Sequence, residues 1–106
     1  MMLVTIDVES SVEYVNLNVG DELRLRITEN ATTGYIWRQA AALPHGVVML
    51  GDEILPGIGG IGAAGKHEFR YSCTVPISTR LRFELARPWQ IRQPIKTTSV
   101  EINCRR

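Results

Sequence analysis

The sequence is poor in the residues that build metal centres and covalent scaffolds. It has two cysteines, Cys73 and Cys104, and two histidines, His45 and His67, in 106 residues. Two cysteines are too few for a disulfide-rich framework, and two histidines give no metal-ligand cluster of recognisable spacing, so no metal or other cofactor is expected. Charge of one sign is missing as well. Twelve basic residues face eleven acidic ones for a net charge of +1, and the two kinds are interleaved, which leaves no electrostatic footprint for nucleic acid. No apolar run approaches the roughly 20 residues that span a bilayer, so no membrane partner is expected. The start, Met1-Met2-Leu3-Val4-Thr5-Ile6-Asp7-Val8, lacks the basic end and long apolar stretch of a signal peptide. The expectation is a cytoplasmic protein if Met1 is the native start, and a periplasmic or secreted one if a leader has been removed.

Catalytic arrangements are absent too. No Ser-His-Asp, Cys-His or paired-carboxylate set falls at a plausible spacing. Cys73 and His67 share a strand face, but six residues at about 3.3 Å each hold them roughly 20 Å apart, beyond hydrogen-bond reach. His45 and His67 read as loop and strand-end residues. The chain is therefore read as a binder and not as an enzyme.

What the sequence has is alternation with the period of strands. Val4, Ile6 and Val8 alternate with Thr5 and Asp7; Val15, Leu17 and Val19 with Asn16 and Asn18; Leu23, Leu25 and Ile27 with Arg24, Arg26 and Thr28. Phe69, Tyr71, Cys73 and Val75 continue the pattern, then Leu81, Phe83 and Leu85, then Thr98, Val100, Ile102 and Cys104. Weaker strands are expected over 35–40 and 46–53. The best helical stretch, 38–43, stops at Pro44. Strands with one apolar and one polar face bury the apolar ones most simply by packing two sheets together. The expected fold is all-β, an immunoglobulin-like sandwich of seven to eight antiparallel strands, forming one domain over residues 1–106. Both cysteines have inward parity. They read first as buried free thiols acting as small apolar residues, with an inter-sheet disulfide as the alternative.

Three segments break the alternation: Asn30-Ala31-Thr32-Thr33-Gly34-Tyr35-Ile36-Trp37, the glycine-rich stretch Pro56 to Gly65, and Arg87-Pro88-Trp89. The glycines at 57, 59 and 62 satisfy the spacing of a dinucleotide fingerprint, but a strand pattern follows where a helix is required. Gly60 and Gly65-Lys66 resemble a phosphate-binding loop, but His67 stands where a magnesium-binding Ser or Thr is needed. Nucleotide binding is thus set aside. Trp37 is expected in the core. Trp89, after a proline that ends strand pairing, is expected at a loop, where Arg and Trp are the residue types enriched at binding hot spots.

Taken in order, the three segments resemble the chagasin family of cysteine peptidase inhibitors, whose pattern is an Asn-Pro-Thr-Thr-Gly-Tyr/Phe loop, a Gly-rich loop before a strand, and an Arg-Pro-Trp loop. The first is matched by Asn30, Ala31, Thr32, Thr33, Gly34 and Tyr35, and the third by Arg87, Pro88 and Trp89. The second is matched best by Gly62, Ala63, Ala64 and Gly65 ahead of Lys66–Phe69, with a register on Gly57–Gly60 (hence Gly59 and Gly60) as the other choice. The resemblance implies a monomeric, tight-binding, reversible inhibitor of papain-like cysteine peptidases. In that reading Thr32, Thr33 and Gly34 cover the catalytic cysteine, the glycine-rich loop follows the unprimed side, Trp89 packs on the primed side, and Arg87 supports the loop or meets the rim. The alternative is an immunoglobulin-like protein- or carbohydrate-binding module without inhibitory activity.

One departure from the family pattern matters. Alanine replaces the family proline at position 31, which loosens the loop by about 0.4–1 kcal/mol and weakens affinity by up to roughly fivefold. Asn30-Ala31-Thr32 also forms a glycosylation sequon. A glycan there would obstruct the loop, so a bacterial or cytosolic setting without that modification is expected.

Overall fold

The computed structural model describes residues 1–30, 33–57, 64–90 and 93–106. They form eight strands: β1 (Leu3–Val8), β2 (Val12–Asn18), β3 (Glu22–Glu29), β4 (Ile36–Gln39), β5 (Val47–Leu55), β6 (Gly65–Cys73), β7 (Ile77–Ala86) and β8 (Lys96–Arg105). The strands make two four-stranded sheets, ordered β1-β3-β6-β5 and β2-β8-β7-β4. Alternation sets the inner faces. The first sheet buries Leu23, Leu25, Ile27, Phe69 and Tyr71, and the second buries Val15, Leu17, Leu81, Phe83, Val100 and Ile102. Each such side chain contributes about 1.5–3 kcal/mol on leaving water. The Phe83 ring links the layers, 4.9 Å from the centre of Phe69 and 6.3 Å from that of Tyr71. Trp37 is buried, as expected of a core residue.

The sandwich has the expected number of strands, but not uniformly antiparallel pairing. β1 runs parallel to β3 and β2 parallel to β8. Residues 9–11 carry the chain from one sheet to the other between β1 and β2. Each N-terminal strand therefore joins the edge of a different sheet and takes the direction that edge offers. Glu13 fixes this crossing by accepting from the backbone N–H groups of Glu9 (2.9 Å) and Ser10 (3.1 Å). Its carboxyl is held below the usual range, chiefly by the Glu9 N–H.

The cysteines are not free thiols. Cys73, at the end of β6, and Cys104, near the end of β8, form a disulfide with their Cα atoms 6.7 Å apart. Inward parity on two facing sheets brings the two sulfurs together, so the bond ties one sheet to the other. Val75 lies beyond β6 and is exposed.

Candidate functional site: three loops at one end of the sandwich

The strand register brings the three irregular segments together. Glu29, which ends β3, pairs with Gly65, which begins β6, and Leu55 at the end of β5 pairs with Lys66. The β3–β4 and β5–β6 loops therefore leave the first sheet side by side. In the second sheet Ile36, which begins β4, pairs with Ala86 at the end of β7, and Leu85 pairs with Lys96. This places the β7–β8 loop beside the returning stem of the β3–β4 loop. Trp37 joins the two sheets at this level by donating its indole N–H to the Thr28 carbonyl at 3.0 Å. The disulfide lies at the opposite end, where the Cys73 carbonyl accepts from Gly20 N–H in the β2–β3 turn.

In the first loop the Asn30 carbonyl accepts from both the backbone N–H (3.2 Å) and the hydroxyl (2.8 Å) of Thr33. The same hydroxyl accepts from Tyr35 N–H at 3.3 Å. This is a side-chain-braced turn of the kind Thr forms readily. Gly34 completes it with φ of +78°, a left-handed conformation suited to glycine. Thr33 is exposed, while Asn30, Gly34 and Tyr35 are half-buried. Ala31 and Thr32 lie outside the described residues.

Of the second loop, Gly59, Gly60, Gly62 and Ala63 likewise lie outside the described residues. Ala64 is exposed, and Gly65 opens β6 in a tight approach. A Cβ on Gly65 would stand 2.2 Å from the Leu55 carbonyl oxygen, so glycine here lets the two stems of the loop close together.

In the third loop Arg87, Pro88 and Trp89 form a turn closed by Gln90 N–H donating to the Arg87 carbonyl at 2.9 Å. Trp89 is 72% exposed, a large apolar ring held out in water. The Arg87 guanidinium lies over the Tyr35 ring at 4.7 Å and over the Trp89 ring at 5.9 Å. One cation thus braces the third loop against the first.

The base of this end holds residues that the sequence pattern did not single out. His67 is the third residue of β6 and is buried, not a strand-end residue. Its Nδ1 lies 2.9 Å from Glu29 Oε2 and its Nε2 2.7 Å from Asp52 Oδ2. Glu29 Oε2 also accepts from the Trp37 backbone N–H at 2.7 Å. Parity was the available signal. Glu29 continues the inward series Leu23, Leu25, Ile27, and His67 shares the face of Phe69 and Tyr71. An ionisable residue at an inward position requires a partner.

The fold and the loop cluster define an immunoglobulin-like sandwich with three irregular loops gathered at one end. The sequence model of the family described as "Chagasin family peptidase inhibitor I42" matches residues 16–102. The chain belongs to the chagasin family of peptidase inhibitors, and it is an inhibitor and not an enzyme.

Among solved structures, the fold is similar to that of the cysteine protease inhibitor EhICP2 from Entamoeba histolytica, with a TM-score of 0.82 at 17% identity over 98% of this chain and 96% of that one. It is also similar to PbICP-C, solved in complex with falcipain-2, with a TM-score of 0.74 at 13% identity over 96% and 99% of the two chains. The solution structure of Amebosin gives 0.69 at 21% identity over 98% and 97%. Comparison with curated protein sequences gives no match.

Proposed function

We propose that this protein is a reversible, non-covalent inhibitor of papain-like cysteine peptidases that fills the active-site cleft with the loops at 30–35, 56–64 and 87–95. The observation that carries the reading is the departure of all three loops from one end of the sandwich, with Trp89 held 72% exposed at its edge. A solved relative of the same fold, PbICP-C, is in complex with falcipain-2. Thr32, Thr33 and Gly34 cover the catalytic cysteine, and Gly34 lets backbone approach it closely. The segment that includes Gly59, Gly60, Gly62, Ala63, Ala64 and Gly65 follows the unprimed side. Trp89 packs on apolar surface of the primed side, and Arg87 holds it there by stacking against Tyr35. The bonds among Asn30, Thr33 and Tyr35 hold these residues in place before docking, which limits the entropy they lose on binding.

Replacement of Trp89 by alanine tests the assignment. As an exposed aromatic anchor, Trp89 is expected to carry about 2 kcal/mol or more, a rise of roughly 30-fold or greater in the inhibition constant. The melting temperature should not change. Undiminished inhibition of papain by folded Trp89→Ala would overturn the loop assignment.

A further inference from the structure

We propose that Glu29, His67 and Asp52 form a hydrogen-bonded clamp that positions the first two loops for inhibition, with His67 as the positioning residue; the proposal rests on the loop assignment above. The clamp grips all four stems. Glu29 precedes the first loop and Trp37 follows it, and they are joined by the Trp37 N–H to Glu29 Oε2 bond of 2.7 Å. Asp52 lies on β5 ahead of the second loop and His67 lies on β6 after it, 2.7 Å apart. The bond from Nδ1 to Glu29 at 2.9 Å then couples the two loops to each other.

Each ring nitrogen faces a carboxylate oxygen, and only the imidazolium has a donor on both. The Glu29 side chain is 2% exposed and that of His67 9%, so the Glu29 carboxylate depends on the ring for its countercharge. A buried charge that loses its partner is strongly unfavourable. Among the described residues, the charged groups directed at the ring are Glu29 from β3 and Asp52 from β5. β4 contributes the uncharged Trp37, and Phe69 stacks on the ring at 4.1 Å. Lys66 and Glu68, the sequence neighbours of His67, point to the other face of the sheet. There Lys66 donates to Thr28 and Glu68 pairs with Arg26. Without the ring, nothing joins Glu29 to Asp52, and one pair of stems is released from the other.

The test compares wild type with His67→Gln against papain at one fixed pH, reading the variant-to-wild-type ratio of inhibition constants. The expected ratio is about tenfold, the size of one charge-assisted pair. Asp52→Asn, on a side chain 47% exposed, is the gentler second variant and should raise the inhibition constant by less than His67→Gln does. A folded His67→Gln protein that inhibits like wild type would overturn the proposal. Amide exchange of Trp37 in the free protein at one fixed pH gives a readout independent of inhibition, and it should speed up about tenfold in His67→Gln. Unchanged exchange overturns the clamp. Faster exchange in a protein whose wild type inhibits no cysteine peptidase would sink the loop assignment while keeping the clamp as the device that orders the stems.

Discussion

The guanidinium carbon of Arg87 lies 4.7 Å from the centre of the Tyr35 ring, joining the start of the third loop to the close of the first. A cation over an aromatic face in a partly exposed setting contributes about 0.5–1 kcal/mol. Arg87→Ala should therefore weaken inhibition by about two- to fivefold. Tyr35→Leu should do the same, and the double variant should fall short of the product of the two, because a shared contact can be lost only once. Fully multiplicative effects would show that the stack does not couple the loops.

Two glycines should respond differently to alanine. Gly34 has φ of +78°, and a Cβ added there would meet no atom of the described residues within 4 Å, so among them Gly34→Ala strains only the backbone. The strain is about 1–2 kcal/mol, and the variant should fold with altered loop geometry and weaker inhibition. Gly65→Ala would place its Cβ 2.2 Å from the Leu55 carbonyl oxygen, so the stems of the second loop must separate. Thermal melting should show Gly65→Ala to be the less stable of the two.

The strands and the buried residues could be read from alternation, because Leu23, Leu25 and Ile27 or Leu81, Phe83 and Leu85 each mark one face of a strand. Parallel pairing at β1 and β2 could not, since a period of two is the same whichever way the neighbouring strand runs. The disulfide was half legible. Parity turned Cys73 and Cys104 inward, but only the sheet order sets β6 against β8 at a common level. At the site, Arg87, Pro88 and Trp89 and the turn at Thr33 and Gly34 stood out as breaks in the pattern. Glu29 and Asp52 did not, because their significance lies in a meeting with His67 across 38 and 15 residues of sequence.

Removal of the disulfide separates stability from inhibition. The bond closes a loop of 31 residues, for which the chain-entropy relation gives about 3–4 kcal/mol. Cys73→Ser with Cys104→Ser should lower the melting temperature by on the order of 15 °C. Inhibition at room temperature should persist, because the bond lies at the end of the sandwich away from the loops. Loss of inhibition in a folded double variant would show that the two ends are coupled.

Acid should loosen the same far end. Asp21 accepts from the backbone N–H groups of Asn18 and Met2, both at 2.9 Å. These bonds, Asn18 first, hold its carboxyl below the ordinary value of 3.8. A carboxyl depressed in the folded state stabilises the fold above its unfolded value, and that contribution is lost as pH falls through the folded one. Melting curves should fall below about pH 4 in wild type and fall less steeply in Asp21→Asn, which should already be less stable near neutrality. Parallel curves for the two proteins would rule out this role for Asp21.

Titration of papain with the purified protein, with cathepsin L and trypsin alongside, tests the central claim most directly. The loop wedge predicts stoichiometric loss of activity for the two cysteine peptidases and none for trypsin. Full papain activity in the presence of micromolar folded protein would contradict it.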